Sequence, residues 1–318
     1  MAGSDNTSDT IAVVFPGQGS QKIGMARDFY DAFCVSRAVF DEVSERLSVD
    51  MAKLCFEDED RLNLTTFTQP ALLTAEIAVY RALTEEYGVV FDYFAGHSLG
   101  EYSALVAAGV IPLSEAATLV RQRGLSMQKA VPIGRGAMVA VTSQMLDLDG
   151  LQEQIKGLSV DIANVNSPQQ VVLSGEVQDV HQAEQRIERW SSSVPIRLTR
   201  LSVSAPFHSR LMVCVEEEYR PHLVQYSQTW NPRRAHRVLS NHTGDFYEEG
   251  SIDGLVNGLT NQISGTVMWL SNMHRIVSLN PNQIVEVGPR RPLRGFFWTM
   301  GVEVTAITNL VTAKRAWS

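Results

Sequence analysis

Short apolar runs alternate along the chain with longer segments in which apolar residues recur every three or four positions. The short runs are typical of buried strands, and the longer spacing is typical of helices with one face in the core. The predicted strands are Ile11–Phe15, Val89–Phe94, Gln283–Val287 and Val302–Ile307. The predicted helices lie within residues 27–60, over Gln69–Tyr87 and Leu99–Ala108, and from Ser114 as N-cap to Lys129. Strands that alternate with helices favour a mostly parallel sheet covered on both faces.

The pattern changes between residues 133 and 203. There the predicted elements are the strands Met138–Thr142, Val160–Asn164, Gln170–Ser174 and Pro195–Leu201 and the helices Leu148–Lys156 and Val177–Trp190. Their order, β-α-β-β-α-β, is that of a ferredoxin-like unit. We therefore predict an inserted ferredoxin-like subdomain at 133–203, a catalytic α/β domain made of 11–132 and 204–318, and a disordered tail at 1–10.

Composition excludes several classes of function. The 318 residues can bury a large core, and 44% hydrophobic with 19% charged residues is typical of a globular protein. No apolar run approaches the roughly 18 residues of a membrane span, and the polar N-terminus is unlike a signal peptide. The net charge of −8 argues against nucleic acid as a partner. Three scattered cysteines favour a reducing cytoplasm, and no metal-ligand spacing is found, so we expect no metal site.

The residues Gly96-His97-Ser98-Leu99-Gly100 form a G-x-S-x-G pattern between a predicted strand and a predicted helix. A strand, a sharp turn and a helix with serine at the turn make a nucleophile elbow. Glycine is needed on both sides because a side chain would clash where the strand folds back on the helix. The turn exposes the Ser98 hydroxyl and aims the Leu99 N–H at a developing oxyanion.

A serine nucleophile needs a base within hydrogen-bond distance, and histidine is the usual one. His97 adjoins Ser98, but the tight turn should direct its ring away from the hydroxyl. His208 follows Pro206-Phe207 where the chain returns to the large domain. The residues alone leave open whether His208 is this base or a surface histidine at a helix start.

Two other segments carry candidate chemistry. Gly17-Gln18-Gly19 follows the first strand and makes a tight loop whose N–H groups can point at a ligand, or it is a plain connection. Arg123 lies in a predicted helix, where most arginines face solvent. The adjacent Gly124 costs about 1 kcal/mol inside a helix and therefore indicates close packing there. A planar guanidinium in such a place can bind a carboxylate through two parallel hydrogen bonds.

Six motifs in order resemble the malonyl-CoA:acyl-carrier-protein transacylases and cover nearly the whole chain after the first ten residues. They are Phe15–Gln21, Gly96–Ala104, Arg121–Gln128, Asn164–Pro168, Ala205–Met212 and Glu286–Pro289. The resemblance implies an α/β-hydrolase-like large domain with an inserted ferredoxin-like subdomain. It also implies transfer of a malonyl group from malonyl-CoA, through a seryl ester, to the phosphopantetheine thiol of an acyl carrier protein, without a cofactor.

The resemblance assigns roles to particular residues. Ser98 matches the nucleophile and His208 its base, and Gln262 matches a glutamine whose main-chain carbonyl orients that histidine. Gln18 and Leu99 match the residues whose backbone N–H groups form the oxyanion hole.

Two more residues match positions that select the substrate. Arg123 matches the arginine that binds the free carboxylate of malonyl, and Phe207 matches a bulky residue that crowds its α-carbon. The exposed acidic surface expected of a carrier protein suggests docking at Arg290, Arg291 and Arg294.

Two alternatives remain, a serine acyl hydrolase or thioesterase that edits carrier proteins and a non-catalytic docking module. The carboxylate-binding arginine argues against the first, and the joint presence of the site residues argues against the second. The pathway is fatty-acid or polyketide biosynthesis, and Pro206-Phe207-His208 favours the assembly-line form of the motif.

Overall fold

The structure is a computed structural model that describes residues 10–132, 134–190, 195–203 and 205–317. The predicted tail lies outside the described residues except for Thr10, and so do residues 133 and 204 at the predicted domain boundaries. Within the described ranges the strands, numbered in chain order, are β1 Ile11–Phe15, β2 Tyr93–Gly96, β3 Gly136–Thr142, β4 Val160–Ser167, β5 Gln170–Glu176, β6 Arg197–Arg200, β7 Gln283–Val287 and β8 Thr305–Ile307.

The helices of the first half of the chain are α1 Arg27–Ala32, α2 Cys34–Leu47, α3 Met51–Glu57, α4 Glu59–Leu62, α5 Thr65–Glu85, α6 Gly100–Ala107 and α7 Leu113–Ala130. Those of the second half are α8 Leu148–Ile155, α9 Val177–Trp190, α10 Val213–Tyr226, α11 Ile252–Asn261, α12 Trp269–Ser278, α13 Pro292–Trp298 and α14 Leu310–Ala316. Short 3₁₀ turns at Arg210–Met212, Ser227–Thr229 and Pro232–Arg237 join some of them.

The first sheet has the order β2-β1-β7-β8, and all of its pairs are parallel. Side chains alternate across β1, so that Val13 and Phe15 belong to one apolar cluster and Ala12 and Val14 to another on the opposite face. Both faces are therefore covered, as the alternation of strands and helices predicts. This sheet carries the elbow, because Ser98 lies two residues after the end of β2.

The second sheet is antiparallel, with the order β4-β5-β3-β6. Val139 and Val141 of β3 pack with Ala183 and Ile187 of α9 in a separate core. This is the predicted ferredoxin-like arrangement, and the mixed α/β fold with two sheets is confirmed. Main-chain hydrogen bonds from Val165 N–H to Val267 O (3.0 Å) and from Val267 N–H to Ala163 O (2.9 Å) tie β4 to the large domain.

Three local predictions were wrong. The strand predicted at Val89–Phe94 begins only at Tyr93 and extends to Gly96, because the chain before it leaves the sheet and exposes 72% of Val90. The helix predicted from Gln69 starts at Thr65 and contains Pro70.

The third error concerns a helix start. The N-cap of α7 is Pro112 and not Ser114, because Pro112 has an extended backbone (φ −59°, ψ 140°) and its carbonyl accepts the first helical hydrogen bond from Ala116 N–H at 2.9 Å. The ends of several strands also shift by a few residues. None of these changes moves a candidate site residue to a different element.

Candidate active site

Ser98 lies at the sharp turn between β2 and α6 with a φ of +52°, a left-handed conformation that is unusual for a residue other than glycine. A Cβ on Gly96 would lie 1.9 Å from the carbonyl carbon of Gly100. Only glycine allows this approach of strand to helix, as the pattern predicts. The strained turn is retained where it presents the Ser98 side chain to a cavity of about 950 Å³.

The predicted serine–histidine contact is present. Ser98 Oγ lies 2.7 Å from His208 Nε2, and His208 Nδ1 lies 2.7 Å from the main-chain oxygen of Gln262. A carbonyl oxygen only accepts, so Nδ1 must carry the ring proton and donate it. Nε2 is then free to accept the Ser98 proton, which is the tautomer that a general base requires.

His208 is 4% exposed and its pKa is lowered to about 3. Burial is the main cause, because it disfavours the charged ring, and the positive charge of Arg123 is the second. The imidazole is therefore neutral at physiological pH. His97, the sequence neighbour of Ser98, turns away as predicted: its Nε2 lies 2.7 Å from Asn166 Oδ1 on β4.

Arg123 is 1% exposed and lies beside the nucleophile. Its guanidinium donates to Ser98 Oγ at 3.1 Å, to Gln69 Oε1 at 2.9 Å and to Gln262 Oε1 at 2.8 Å. All of these acceptors are uncharged, and Arg123 Nε is a buried donor with no acceptor among the described residues. A buried cation with a free donor next to the reacting hydroxyl is suited to a carboxylate ligand.

Close packing places Arg123, as the sequence indicates. A Cβ on Gly124 would lie 2.7 Å from the main-chain oxygen of Thr65, so glycine lets α7 touch the start of α5. Gln69, which supports the guanidinium, lies one turn further along α5. Close packing of α7 against α5 therefore explains why Gly124 stands inside a helix.

Backbone approaches also build the candidate oxyanion hole. A Cβ on Gly17 would meet the His97 oxygen at 2.4 Å, and one on Gly100 would meet the Phe15 oxygen at 2.2 Å. The loop after β1 therefore lies directly against the elbow, and Gln18 of this loop lines the same cavity as Ser98. Within the described part of the chain, neither of these two N–H groups donates to another main-chain group.

The sequence does not point to several polar groups that support this site. Asn241 Oδ1 accepts from Ser98 N–H at 2.6 Å, and its Nδ2 donates to Gly96 O at 2.7 Å. Gln262 Nε2 donates to Ser98 O at 2.9 Å and to Glu101 Oε2 at 2.5 Å. Burial raises the pKa of Glu101 to about 7. A carboxylate one turn after Ser98, in an otherwise uncharged helix, is a signal that could have identified Glu101.

The cavity lies between the two sheets. The large domain contributes the side of the cavity that holds Ser98, Arg123 and His208. Phe207, 8% exposed, lines the cavity next to His208. The second sheet contributes a wall of mostly small, amide and apolar side chains together with one arginine: Met138, Ala140, Thr142, Asn164, Asn166, Gln170, Val172, Arg197 and Thr199. Among the described residues, no group of three or more His, Cys, Asp or Glu side chains could hold a metal ion, and no helix is long and apolar enough to cross a membrane.

A serine at a strand–helix elbow that opens into a cavity, in contact with a histidine held by a main-chain carbonyl, defines a serine-dependent acyl-transfer enzyme of the α/β class. The chain belongs to the acyl transferase domain family, whose match spans residues 12–289. The resemblance drawn from the six motifs is thereby confirmed.

Named relatives and solved structures agree with this family. The chain is 37% identical over 312 residues to a malonyl CoA-acyl carrier protein transacylase of Bacillus subtilis, covering 96% of this chain and 73% of that one. It is 34% identical to the corresponding Staphylococcus aureus protein, with 95% and 97% covered. The Clostridium perfringens transacylase superposes with a TM-score of 0.88 at 34% identity, with 96% of each chain covered.

A further solved structure is a malonyl-transacylase in complex with its type II polyketide synthase acyl-carrier protein. This chain superposes on the transacylase with a TM-score of 0.89 at 34% identity, covering 97% of this chain and 99% of that one.

Proposed function

We propose that this chain moves a malonyl group from malonyl-CoA, through an ester on Ser98, to the phosphopantetheine thiol of an acyl carrier protein. The observation that carries the proposal is the buried, partly unpartnered Arg123 guanidinium 3.1 Å from the Ser98 hydroxyl. It provides a binding group for the one feature that distinguishes malonyl from neutral acyl groups. The names of the relatives, which act on malonyl-CoA and acyl carrier protein, support the same donor and acceptor.

In the first half-reaction His208 Nε2 takes the Ser98 proton while Ser98 Oγ bonds to the thioester carbon. The N–H groups of Gln18 and Leu99 stabilise the oxyanion of the tetrahedral intermediate. The carbon–sulfur bond then breaks, and the proton on His208 passes to the leaving coenzyme A sulfur. The hydrogen bond from His208 Nδ1 to Gln262 O supports the ring while it is charged.

The second half-reaction reverses these roles. The phosphopantetheine thiol gives its proton to His208 and its sulfur attacks the ester carbon, after which Ser98 Oγ leaves and regains the proton. Each half exchanges one acyl bond for another with no net oxidation, so we propose that no cofactor takes part. Thiol attack must be faster than hydrolysis, which favours a cavity that limits water near the ester.

Arg123 and Phe207 are the proposed selectivity residues. Arg123 binds the free carboxylate, and acetyl groups lack that partner. Phe207 crowds the α-carbon, so methylmalonyl-CoA should be a poorer substrate by about 1–3 kcal/mol. Comparing kcat/KM for malonyl-CoA and methylmalonyl-CoA in the parent and in Phe207→Ala tests this; an unchanged ratio removes Phe207 from the selectivity site.

The hydrolase alternative is less well supported. An enzyme that removes stray acyl groups has little use for a buried carboxylate-binding arginine, and the relatives are transferases. A docking module without activity would not need a 2.7 Å serine–histidine contact with the correct histidine tautomer.

The setting follows from the substrates. We propose that the chain serves fatty-acid or polyketide biosynthesis in the cytoplasm, where its three cysteines remain free thiols. For the carrier protein we propose docking on Arg290, Arg291 and Arg294, which are exposed at the start of α13. Phe296 of the same helix lines the cavity, so a partner bound there is close to its entrance.

Mass spectrometry tests the covalent step. After incubation with malonyl-CoA and no acceptor, the intact mass should rise by one malonyl group, and peptide mapping should place it on the Ser98 peptide. Ser98→Ala should show no adduct. An adduct on another peptide, or one that persists in Ser98→Ala, would refute the proposed nucleophile.

A further inference from the structure

Glu101 is fully buried on the first turn of α6, beneath the elbow, and no step of the proposed reaction uses it. Its carboxylate accepts hydrogen bonds from three groups on two distant segments. Oε2 accepts from the Asn241 N–H at 3.1 Å and from Gln262 Nε2 at 2.5 Å, and Oε1 accepts from the Tyr247 hydroxyl. A buried carboxylate with three donors fixes the positions of those donors.

The contacts determine how the Gln262 amide is oriented. Arg123 has only donors, so the amide must present its oxygen to it, and this contact is 2.8 Å. The amide nitrogen then faces Glu101 and the Ser98 carbonyl. Glu101 Oε2 makes the shorter of the two contacts to this nitrogen, 2.5 Å against 2.9 Å for Ser98 O, so without an acceptor there only Arg123 and Ser98 O would hold the orientation. A flipped amide would direct its N–H groups at the guanidinium.

The Asn241 main chain fixes the other end of this series of contacts. Its N–H can only donate, so residue 101 must present an acceptor there. The same Asn241 uses its side chain to hold the Ser98 N–H and the Gly96 carbonyl. Glu101 therefore links the backbone of the elbow to the side chain that supports Arg123.

We propose that Glu101 is a positioning residue: it orients the Gln262 amide so that Arg123 is held ready for the carboxylate of the acyl group, and it holds Asn241 against the Ser98 backbone. This deepens the proposed function and rests on the carboxylate-binding role of Arg123. The role depends on how far the side chain reaches and not on its charge.

Two substitutions separate reach from charge. Glu101→Gln keeps the length: its oxygen can accept from Asn241 N–H and Gln262, and its amide can donate to the Tyr247 oxygen. Glu101→Asp keeps the charge but withdraws the carboxylate by one methylene from donors on both sides. A residue needed only for its negative charge would tolerate Asp better than Gln, and a positioning residue would show the opposite order.

The measurement is the ratio of kcat/KM for malonyl-CoA to kcat/KM for acetyl-CoA. Both substrates meet the same folded molecules, so partial unfolding of a variant leaves the ratio unchanged. We expect Glu101→Gln to keep the ratio within about threefold and Glu101→Asp to lower it about tenfold, the scale of coupling within one hydrogen-bond network. Glu286→Asp is the matched control, because Glu286 is also fully buried but accepts from Leu293 and Arg294 N–H and not from Gln262.

The inference would be overturned if Glu101→Asp kept the parent ratio of kcat/KM values. It would also be overturned if Glu101→Gln lowered that ratio as much as Glu101→Asp does. An equal loss in Glu286→Asp would also overturn it, because any shortened buried carboxylate would then have the same effect. Arg123→Ala, measured in the same series, keeps the two proposals distinguishable. If that variant keeps the parent ratio, the proposed carboxylate site is itself wrong; if it loses the ratio while Glu101→Asp does not, only the role of Glu101 fails.

Discussion

Arginines stand in two contrasting settings around the cavity. Arg123 is 1% exposed and donates only to uncharged groups, and it takes part in none of the ion pairs of the described residues. Arg291 and Arg294 are exposed at the start of α13, Arg291 as its N-cap, and they line a second cavity of about 770 Å³ on the other side of that helix. One arginine is therefore desolvated next to the nucleophile, whereas two others a short distance away remain hydrated.

The contrast indicates what each charge can do. A buried charge interacts strongly over short distances and is little affected by salt, and leaving it unpaired is costly. An exposed charge is screened within a Debye length of about 8 Å at physiological ionic strength, and it acts mainly on the rate of encounter. Selection of the acyl group should therefore depend on Arg123, and recognition of the carrier protein on the α13 arginines.

The largest expected effect comes from Arg123→Ala. Acetyl-CoA leaves the buried guanidinium unpaired in the parent, at roughly 2–5 kcal/mol, so the parent should prefer malonyl by tens to thousands fold in kcat/KM. The variant should lose malonyl transfer and keep or gain activity on acetyl-CoA, as measured by steady-state kinetics with both thioesters.

Arg123→Lys is the matched control, because it keeps the charge but not the planar pair of donors. Its malonyl activity should fall between those of the parent and Arg123→Ala. Undiminished malonyl transfer by Arg123→Ala would show that the carboxylate is bound elsewhere, and the contrast between the two kinds of arginine would then be wrong.

The second expected effect is on pH dependence. The kcat/KM for acylation reports the pKa of the base in the free enzyme, which is about 3 for His208 against an ordinary 6.5. The rate with acetyl-CoA should thus not fall between pH 8 and 5 through protonation of His208. Arg123→Ala removes the second of the causes that lower this pKa, so the acidic limb of the pH–rate profile should move to higher pH, but not to 6.5, because burial of the ring remains. If the acidic limb of the pH–rate profile lies at the same pH in both proteins, the charge of Arg123 does not affect the pKa of His208.

The same shift predicts a direction for stability. Between about pH 3 and 6.5 the unfolded chain binds a proton at His208 that the folded chain does not. The contribution of His208 to stability is therefore fully present above pH 6.5 and is lost as the pH falls toward 3. Activity assays below pH 5 should for this reason be paired with a measurement of folding.

The sequence was most informative where structure is local. The glycines of Gly96-His97-Ser98-Leu99-Gly100 fix one turn between neighbouring elements, and the 3.6 and 2 residue periods identify both sheets. Element ends were less predictable: Val90 has strand propensity, yet tertiary structure leaves it 72% exposed. Pro112 is the N-cap of α7 because its ψ of 140° is not helical while its carbonyl accepts the first helical hydrogen bond, and the choice of Ser114 overlooked this.

The support of the site could not be predicted in the same way. Asn241 reaches Ser98 across 143 positions of sequence, and nothing in the turn-rich segment around it distinguishes it from a surface asparagine. Gln262 was identified through its main-chain carbonyl by resemblance, but the second use of its side chain, between Arg123 and Glu101, follows only from the fold. Long-range hydrogen bonds among buried polar groups leave no periodic pattern in the sequence.

The smallest expected effect concerns the exposed arginines. Carrier proteins are acidic, so Arg291→Glu/Arg294→Glu should raise the KM for carrier protein severalfold, on the scale of about 1 kcal/mol for exposed charges, and leave malonyl loading of Ser98 unchanged. Added salt should slow the second half-reaction of the parent and affect the double variant less.

Arg189→Glu/Arg233→Glu is a control with the same change in net charge at two exposed arginines that do not line the active-site cavity. If the two double variants have equal KM values, the interaction depends on overall charge and α13 is not the docking surface. If the α13 variant instead lost malonyl loading, its arginines would act on the acyl donor, and the division of roles between buried and exposed arginines would fail.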